Sequence, residues 1–171
     1  MIEIHETTEY DLGFVQQLWA VGNVMRFVGF PDGLHKTDAQ MNRWLTWIQS
    51  NQPLMNHFSI YADGAYCGEA FYKIDYVHKS AALDIKLLGT AQGKGIGTAG
   101  LSYAIKEAYA HGAKSVWVNP VFENNKAQAL YRKLGFSVKP FPDHIASDEE
   151  RSYSIYMELS GNQLTSFVSR T

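Results

Sequence analysis

Apolar and polar residues alternate over residues 1–6, Met-Ile-Glu-Ile-His-Glu, which is the period of a half-buried strand. The period then lengthens. Leu12, Val15, Leu18 and Trp19 recur at helical spacing, with Thr8 or Asp11 placed to cap the helix. Phe30-Pro31-Asp32-Gly33 marks a turn set among aromatics. A second helix is predicted over 38–50, with Met41, Trp44, Leu45 and Ile48 on one face. From residue 57 the pattern is that of strands. Segments 57–61 and 65–76 flank the hairpin turn Ala62-Asp63-Gly64, and 81–88 follows. A helix over 98–112, a short apolar strand over 115–118 and a helix over 124–134 ending at Gly135 come next. Strands over 136–138 and 152–159 complete the prediction.

The order β-α-α-β-β-β-α-β-α-β-β implies one α/β domain over 1–160, a mixed and strongly twisted sheet with helices on both faces. Residues 161–171 are expected to form a polar, loosely held tail. A dinucleotide-binding fold would alternate strand and helix from the start, and this chain does not.

Composition narrows the function classes. A chain of 171 residues is one domain by length, able to bury about 70% of its unfolded surface. A net charge of -2 gives no electrostatic case for nucleic acid or an anionic membrane. No apolar run reaches the roughly 18–20 residues of a membrane span, and the N-terminus lacks the pattern of a signal peptide, so a cytoplasmic location is expected. Cys67, the only cysteine, rules out an intrachain disulfide and a cysteine-based zinc site. His5, His57, His78, His111 and His144 are scattered with no i, i+4 pair, so no metal site is expected.

Candidate chemistry gathers where the strand at 81–88 meets the helix at 98–112. Gly93, Gly95 and Gly97 sit at alternate positions there. Side-chain-free positions let a backbone approach a ligand, and the free N–H groups of a helix start favour anions. The spacing is neither the dinucleotide fingerprint nor a nucleotide-triphosphate P-loop, so the glycines alone are equally consistent with a tight turn. Asn124, Ala127 and Tyr131 lie along one face of the later helix.

Together, Gln92-Gly93-Lys94-Gly95-Ile96-Gly97 and Asn124-Asn125-Lys126-Ala127-Gln128-Ala129-Leu130-Tyr131-Arg132-Lys133-Leu134-Gly135-Phe136 closely resemble the GNAT superfamily of acyl-CoA-dependent N-acetyltransferases. The loop pattern Gln/Arg-x-x-Gly-x-Gly/Ala is met by Gln92, Gly95 and Gly97, and every fixed position of the helix pattern is present. The resemblance implies a twisted sheet of about seven strands flanked by about four helices, with acetyl-CoA as acyl donor and no metal.

It further implies that the N–H groups of Gly93, Lys94, Gly95, Ile96, Gly97 and Thr98 hold the CoA diphosphate. Lys94 adds charge there, or is simply a solvated lysine. Leu87, Leu88 and Gly89 offer backbone groups to the pantetheine arm, one of their N–H groups polarising the thioester carbonyl. Asn124 matches a residue on the pantetheine side and is also placed to cap its helix. Tyr131 matches the tyrosine that protonates the departing thiolate, against the plainer reading of a core aromatic. Asp84 is the first candidate for the base, because the strand 82–88 and its loop look locally like aminoglycoside 6′-N-acetyltransferases. Its alternative is a pairing with Lys86 or exposure to solvent. Glu69 is the second candidate, and direct attack or a water relay the third. Phe27, Phe30 and His35, in a predicted loop, are candidates for the acceptor pocket, and the implied acceptor is a primary amine on a small molecule or peptide. The last strand, 152–159, is expected to be exposed and able to pair across a homodimer interface. A CoA-binding regulatory module without chemistry is the competing reading.

Overall fold

The computed structural model describes residues Met1–Thr171. One sheet of seven strands organises the chain: β1 (Ile2–Glu6), β2 (Met55–Ala62), β3 (Ala65–Asp75), β4 (Ser80–Leu87), β5 (Ser115–Val118), β6 (Ser137–Lys139) and β7 (Tyr156–Ser160), in the spatial order β1-β2-β3-β4-β5-β7-β6. All pairings are antiparallel except β4 with β5. The helices are α1 (Leu12–Trp19), α2 (Gly22–Met25), α3 (Asp38–Ser50), α4 (Ile96–Ala110), α5 (Asn125–Lys133), α6 (Asp148–Tyr153) and α7 (Gly161–Arg170). The mixed α/β sheet and its strand count agree with the expectation, and four of the helices are those predicted.

Strand alternation divides the sheet into two unlike faces. Phe58, Ile60, Ala70 and Tyr72 point to one side, fully buried in the main core beneath α4. Gly100 lets α4 settle close to the strands: a Cβ there would lie 2.5 Å from Ile60 Cδ1 and 2.9 Å from Ile85 Cδ1. His57, Ser59 and Glu69 point to the other side, where α1 and α3 pack through a smaller cluster of Leu12, Val15, Met41 and Leu45. The start of α3 is set by its sequence. Thr37 Oγ1 accepts the Gln40 N–H at 3.2 Å, and the Thr37 N–H donates to Gln40 Oε1 at 2.9 Å.

A bulge between Ile60 and Tyr61 shifts the β2–β3 register beside Gly68. Gly68 has φ +154°, and a Cβ at this position would sit 2.1 Å from the Lys86 backbone oxygen. Gly68→Ala therefore has to push β3 away from β4. Thermal unfolding should show a loss of about 1–3 kcal/mol; an unchanged Tm would mean that the strands separate at no cost.

Three expectations are corrected. Residues 161–171 are not a loose tail, because Leu164, Phe167 and Val168 form an apolar stripe on α7 that docks into the main core. The strand expected from 152 begins only at Tyr156, since Ser147 and Glu150 cap one another and wind the preceding residues into α6. That strand is also not an exposed edge. β7 pairs with β5 on one side and β6 on the other, so it has no free edge to offer a second copy.

Candidate active site

The loop between β4 and α4 passes through one 3₁₀ turn, Gly89–Ala91, and then two left-handed residues, Gly93 at φ +75° and Gly95 at φ +79°. Nothing lies within 4 Å of a Cβ built at either position, so torsion rather than space requires glycine there. Gly97 is the reverse case, a matter of space: its Cβ would meet Leu130 Cδ2 at 3.2 Å and Leu87 Cδ1 at 3.3 Å. Gly95 is the N-cap of α4, and no side chain caps the helix. The first helical hydrogen bond runs from the Ala99 N–H to the Gly95 carbonyl, which leaves the N–H groups of Ile96, Gly97 and Thr98 without helical acceptors. Gln92, Gly93, Lys94 and Gly95 are exposed around them. Four turns of helix thus end in an open nest of free N–H groups, the geometry that suits an anion.

Beside the nest the sheet splays. β4 pairs with β5 only at Ser80, Ala81 and Ala82, while β4 itself runs on to Leu87. Residues 83–87 therefore carry an unpaired edge. The Leu88 N–H is donated to the Cys67 carbonyl at 2.9 Å, and the Leu88 carbonyl accepts from Ala91 at 2.9 Å. The Leu88 N–H is thus already taken, and only its carbonyl keeps a lone pair for the pantetheine arm. Backbone polarity alternates along a strand, so the Leu87 N–H faces the gap. The Ile85 N–H on the same edge is taken by the Asp84 carboxylate at 2.9 Å.

Asp84 also pairs with Lys86, as its alternative reading held. Its side chain is 39% exposed, while that of Lys86 is 13% exposed and reaches on to Glu69 Oε1 at 3.3 Å. Burial alone would lower the Lys86 pKa, but the flanking Asp84 and Glu69 carboxylates outweigh it and raise it. Glu69 is a different kind of carboxylate. It is 2% exposed and receives the Trp19 indole N–H at 3.0 Å. His57 Nε2 lies 3.2 Å from it, poorly aligned for a hydrogen bond. Burial works to raise its pKa, yet Lys86, His57 and the Trp19 N–H hold it down to about 2. Glu69 is thus held as an anion by its partners, which counts against a role as base and favours a structural one.

Tyr131 is buried on α5 and packs against Phe136, with ring centroids 5.9 Å apart. Burial pushes its hydroxyl pKa up, Asp84 adds to the rise and Lys86 opposes it, so the phenol keeps its proton. Asn124 Oδ1 accepts the Ala127 N–H at 3.2 Å, the capping role.

The loop aromatics lie further out. Phe27 stacks under the Arg26 guanidinium at 4.5 Å, Phe30 is 40% exposed, and His35 Nε2 lies 3.1 Å from the Asp32 carbonyl oxygen. None of their contacts reaches Asp84. A cavity of about 270 Å³ opens instead between α1 and α3, lined by Trp19, Lys36, Gln40, Met41, Arg43 and Trp44. Trp19 and Trp44 read as core from their spacing, and only the fold reveals their second, cavity-facing side. Cys67 is buried with its thiol on the Ala65 carbonyl at 3.4 Å.

Residues 24–136 match the family model described as the acetyltransferase (GNAT) family. No curated protein matches the chain in sequence. Among solved structures, spermidine N-acetyltransferase from Vibrio cholerae, in complex with CoA and spermine, is 18% identical with a TM-score of 0.78, over 96% of this chain and 98% of that one. A GNAT-family acetyltransferase from Streptococcus pneumoniae is 22% identical with a TM-score of 0.73, covering 92% and 97% of the two chains. The structure of yncA from Salmonella typhimurium with its cofactor acetyl-CoA is 18% identical with a TM-score of 0.68, covering 93% of each chain. The family match spans most of the chain, and with the fold it establishes the protein as a member of the GNAT family of acetyltransferases.

Proposed function

We propose that this protein moves the acetyl group of acetyl-CoA directly to a primary amine of a small molecule or peptide, within a ternary complex. The observation that carries this reading is the meeting, at one end of β4, of an uncapped helix start and an open strand edge. The N–H groups of Gly93 to Thr98 hold the diphosphate, with Gln92 and Lys94 beside it. Leu87 and Gly89 hold the pantetheine arm, and the Leu87 N–H polarises the thioester carbonyl. Asn124, Ala127 and Tyr131 present the facing wall from α5. When bound, acetyl-CoA supplies an activated acyl group and a thiolate leaving group.

Two side chains manage protons. Asp84, the more open of the two carboxylates, takes the proton that the acceptor amine must lose, since an ordinary ammonium titrates near 10. The Tyr131 phenol, kept protonated by burial and Asp84, delivers a proton to the departing sulfur. Phe27, Phe30 and His35 form the outer rim through which the acceptor enters.

An unbiased amine library incubated with acetyl-CoA, read by mass, tests the reading: at least one amine should gain an acetyl group with stoichiometric CoA release. Measured acetyl-CoA affinity without release from any amine or peptide would mark a binding module instead. Asp84→Asn should lower kcat/KM by roughly 10²- to 10⁴-fold near neutral pH. The loss should shrink as rising pH frees the amine without help; an unchanged pH–rate profile would remove Asp84 as the base.

A further inference from the structure

We propose that Asp75, His78 and His144 form a binding site for a divalent transition-metal ion, zinc in the first instance, that ties the β3–β4 turn to the segment before α6. These residues are remote in sequence, yet one donor atom from each lies within 4.8 Å of the others. The two imidazoles lie face to face, their centroids 3.5 Å apart and their planes 9° from parallel. His78 Nδ1 is 2.8 Å from Asp75 Oδ2, so a ring nitrogen and a carboxylate oxygen already face one another, and a metal ion would take the place of the proton between them. The carboxylate is itself fixed, because Asp75 Oδ1 accepts the N–H groups of Val77 at 2.8 Å and His78 at 3.1 Å. The neighbouring cation does not compete: the Lys79 ammonium rests over the Tyr76 ring at 3.7 Å.

Imidazole nitrogen with a carboxylate is the donor set that borderline ions such as Zn²⁺ prefer, and Mg²⁺ does not. Tetrahedral zinc, with ligands at about 2.0–2.1 Å, needs donors roughly 3.4 Å apart. All three side chains are exposed, so the two imidazoles can turn out of their parallel stack and aim one nitrogen each at a common ion. With three protein donors the remaining position belongs to water. The site flanks Ser80, at the opposite end of β4 from the glycine loop, and stands apart from the acetyl-transfer machinery. Bound metal clips the segment carrying Phe141, which packs on Tyr156 of β7, to the hairpin turn.

The test is calorimetric titration of the chelator-stripped full chain with ZnCl₂, with MgCl₂ as control, beside His78→Ala, His144→Ala and Asp75→Asn. One equivalent of Zn²⁺ should bind, with no Mg²⁺ heat. Each histidine variant should abolish that binding while keeping the wild-type circular dichroism spectrum, and Asp75→Asn, which keeps an oxygen donor but removes its charge, should weaken it by about 10-fold or more. In thermal melts, Zn²⁺ at about 100-fold over its Kd should raise the wild-type Tm by roughly 5–10 °C and leave the histidine variants unmoved. Absence of Zn²⁺ binding overturns the proposal. So does undiminished binding by the variants, which would place the ion on other histidines.

Discussion

Tyr131→Phe is expected to cut kcat by roughly 10²- to 10⁴-fold, the range for a lost general acid, while acetyl-CoA affinity changes little. The substitution removes one oxygen and keeps the ring, so the packing against Phe136 survives. Burial and the nearby Asp84 keep the phenol protonated, which is the state a proton donor needs when thiolate leaves. Steady-state kinetics paired with calorimetric titration of acetyl-CoA separates the two effects. Full turnover in the variant would reduce Tyr131 to a core aromatic; equal losses in kcat and affinity would make it a binding residue.

The largest expected effect on stability belongs to Glu69. Glu69→Ala removes the carboxylate that receives the Trp19 indole and faces His57 and Lys86, leaving those polar groups buried with fewer partners. Breaking a buried ion pair from one side costs about 3–5 kcal/mol, which in a chain of this size lowers Tm by on the order of 10 °C. Acid sensitivity follows from the same carboxylate. Its folded pKa is depressed to about 2, so its stabilisation is complete above the unfolded carboxylate range and is lost as pH falls through that range towards 2. Chemical denaturation of wild type and Glu69→Gln should therefore converge over this acid window and differ most above pH 5. A gap that stays constant with pH would show that the native carboxylate is not held as an anion.

Much of this was legible in the residues, for physical reasons that also explain the rest. Gly93 and Gly95 announce a backbone that only glycine adopts at no cost, and the α5 pattern from Asn124 to Phe136 places Tyr131 on a defined face. The α3 bounds follow from its apolar spacing and the Thr37 cap. The final helix was hidden by its polar composition, although Leu164, Phe167 and Val168 already stand at i, i+3 and i+4. α6 carried a signal too, a serine with glutamate three residues on, masked by the β-like run that follows. No local pattern could place β7 between β5 and β6, because strand order is decided by packing across the whole sheet. Glu69 looked like a candidate base because a sequence shows a carboxylate but not the indole, imidazole and ammonium that lock it. Likewise His78 and His144 meet only because two distant loops close over the same strand end.

We propose the uncapped start of α4 and the open edge of β4 as the acetyl-CoA site. Amide proton–nitrogen spectra of the labelled protein, titrated with acetyl-CoA, test it most directly. The largest shifts are expected at the N–H groups of Gly93 to Thr98 and at Leu87, with smaller ones on α5 near Asn124 and Tyr131. Saturating acetyl-CoA that leaves those amides unmoved, or moves another region of the sheet instead, would contradict it.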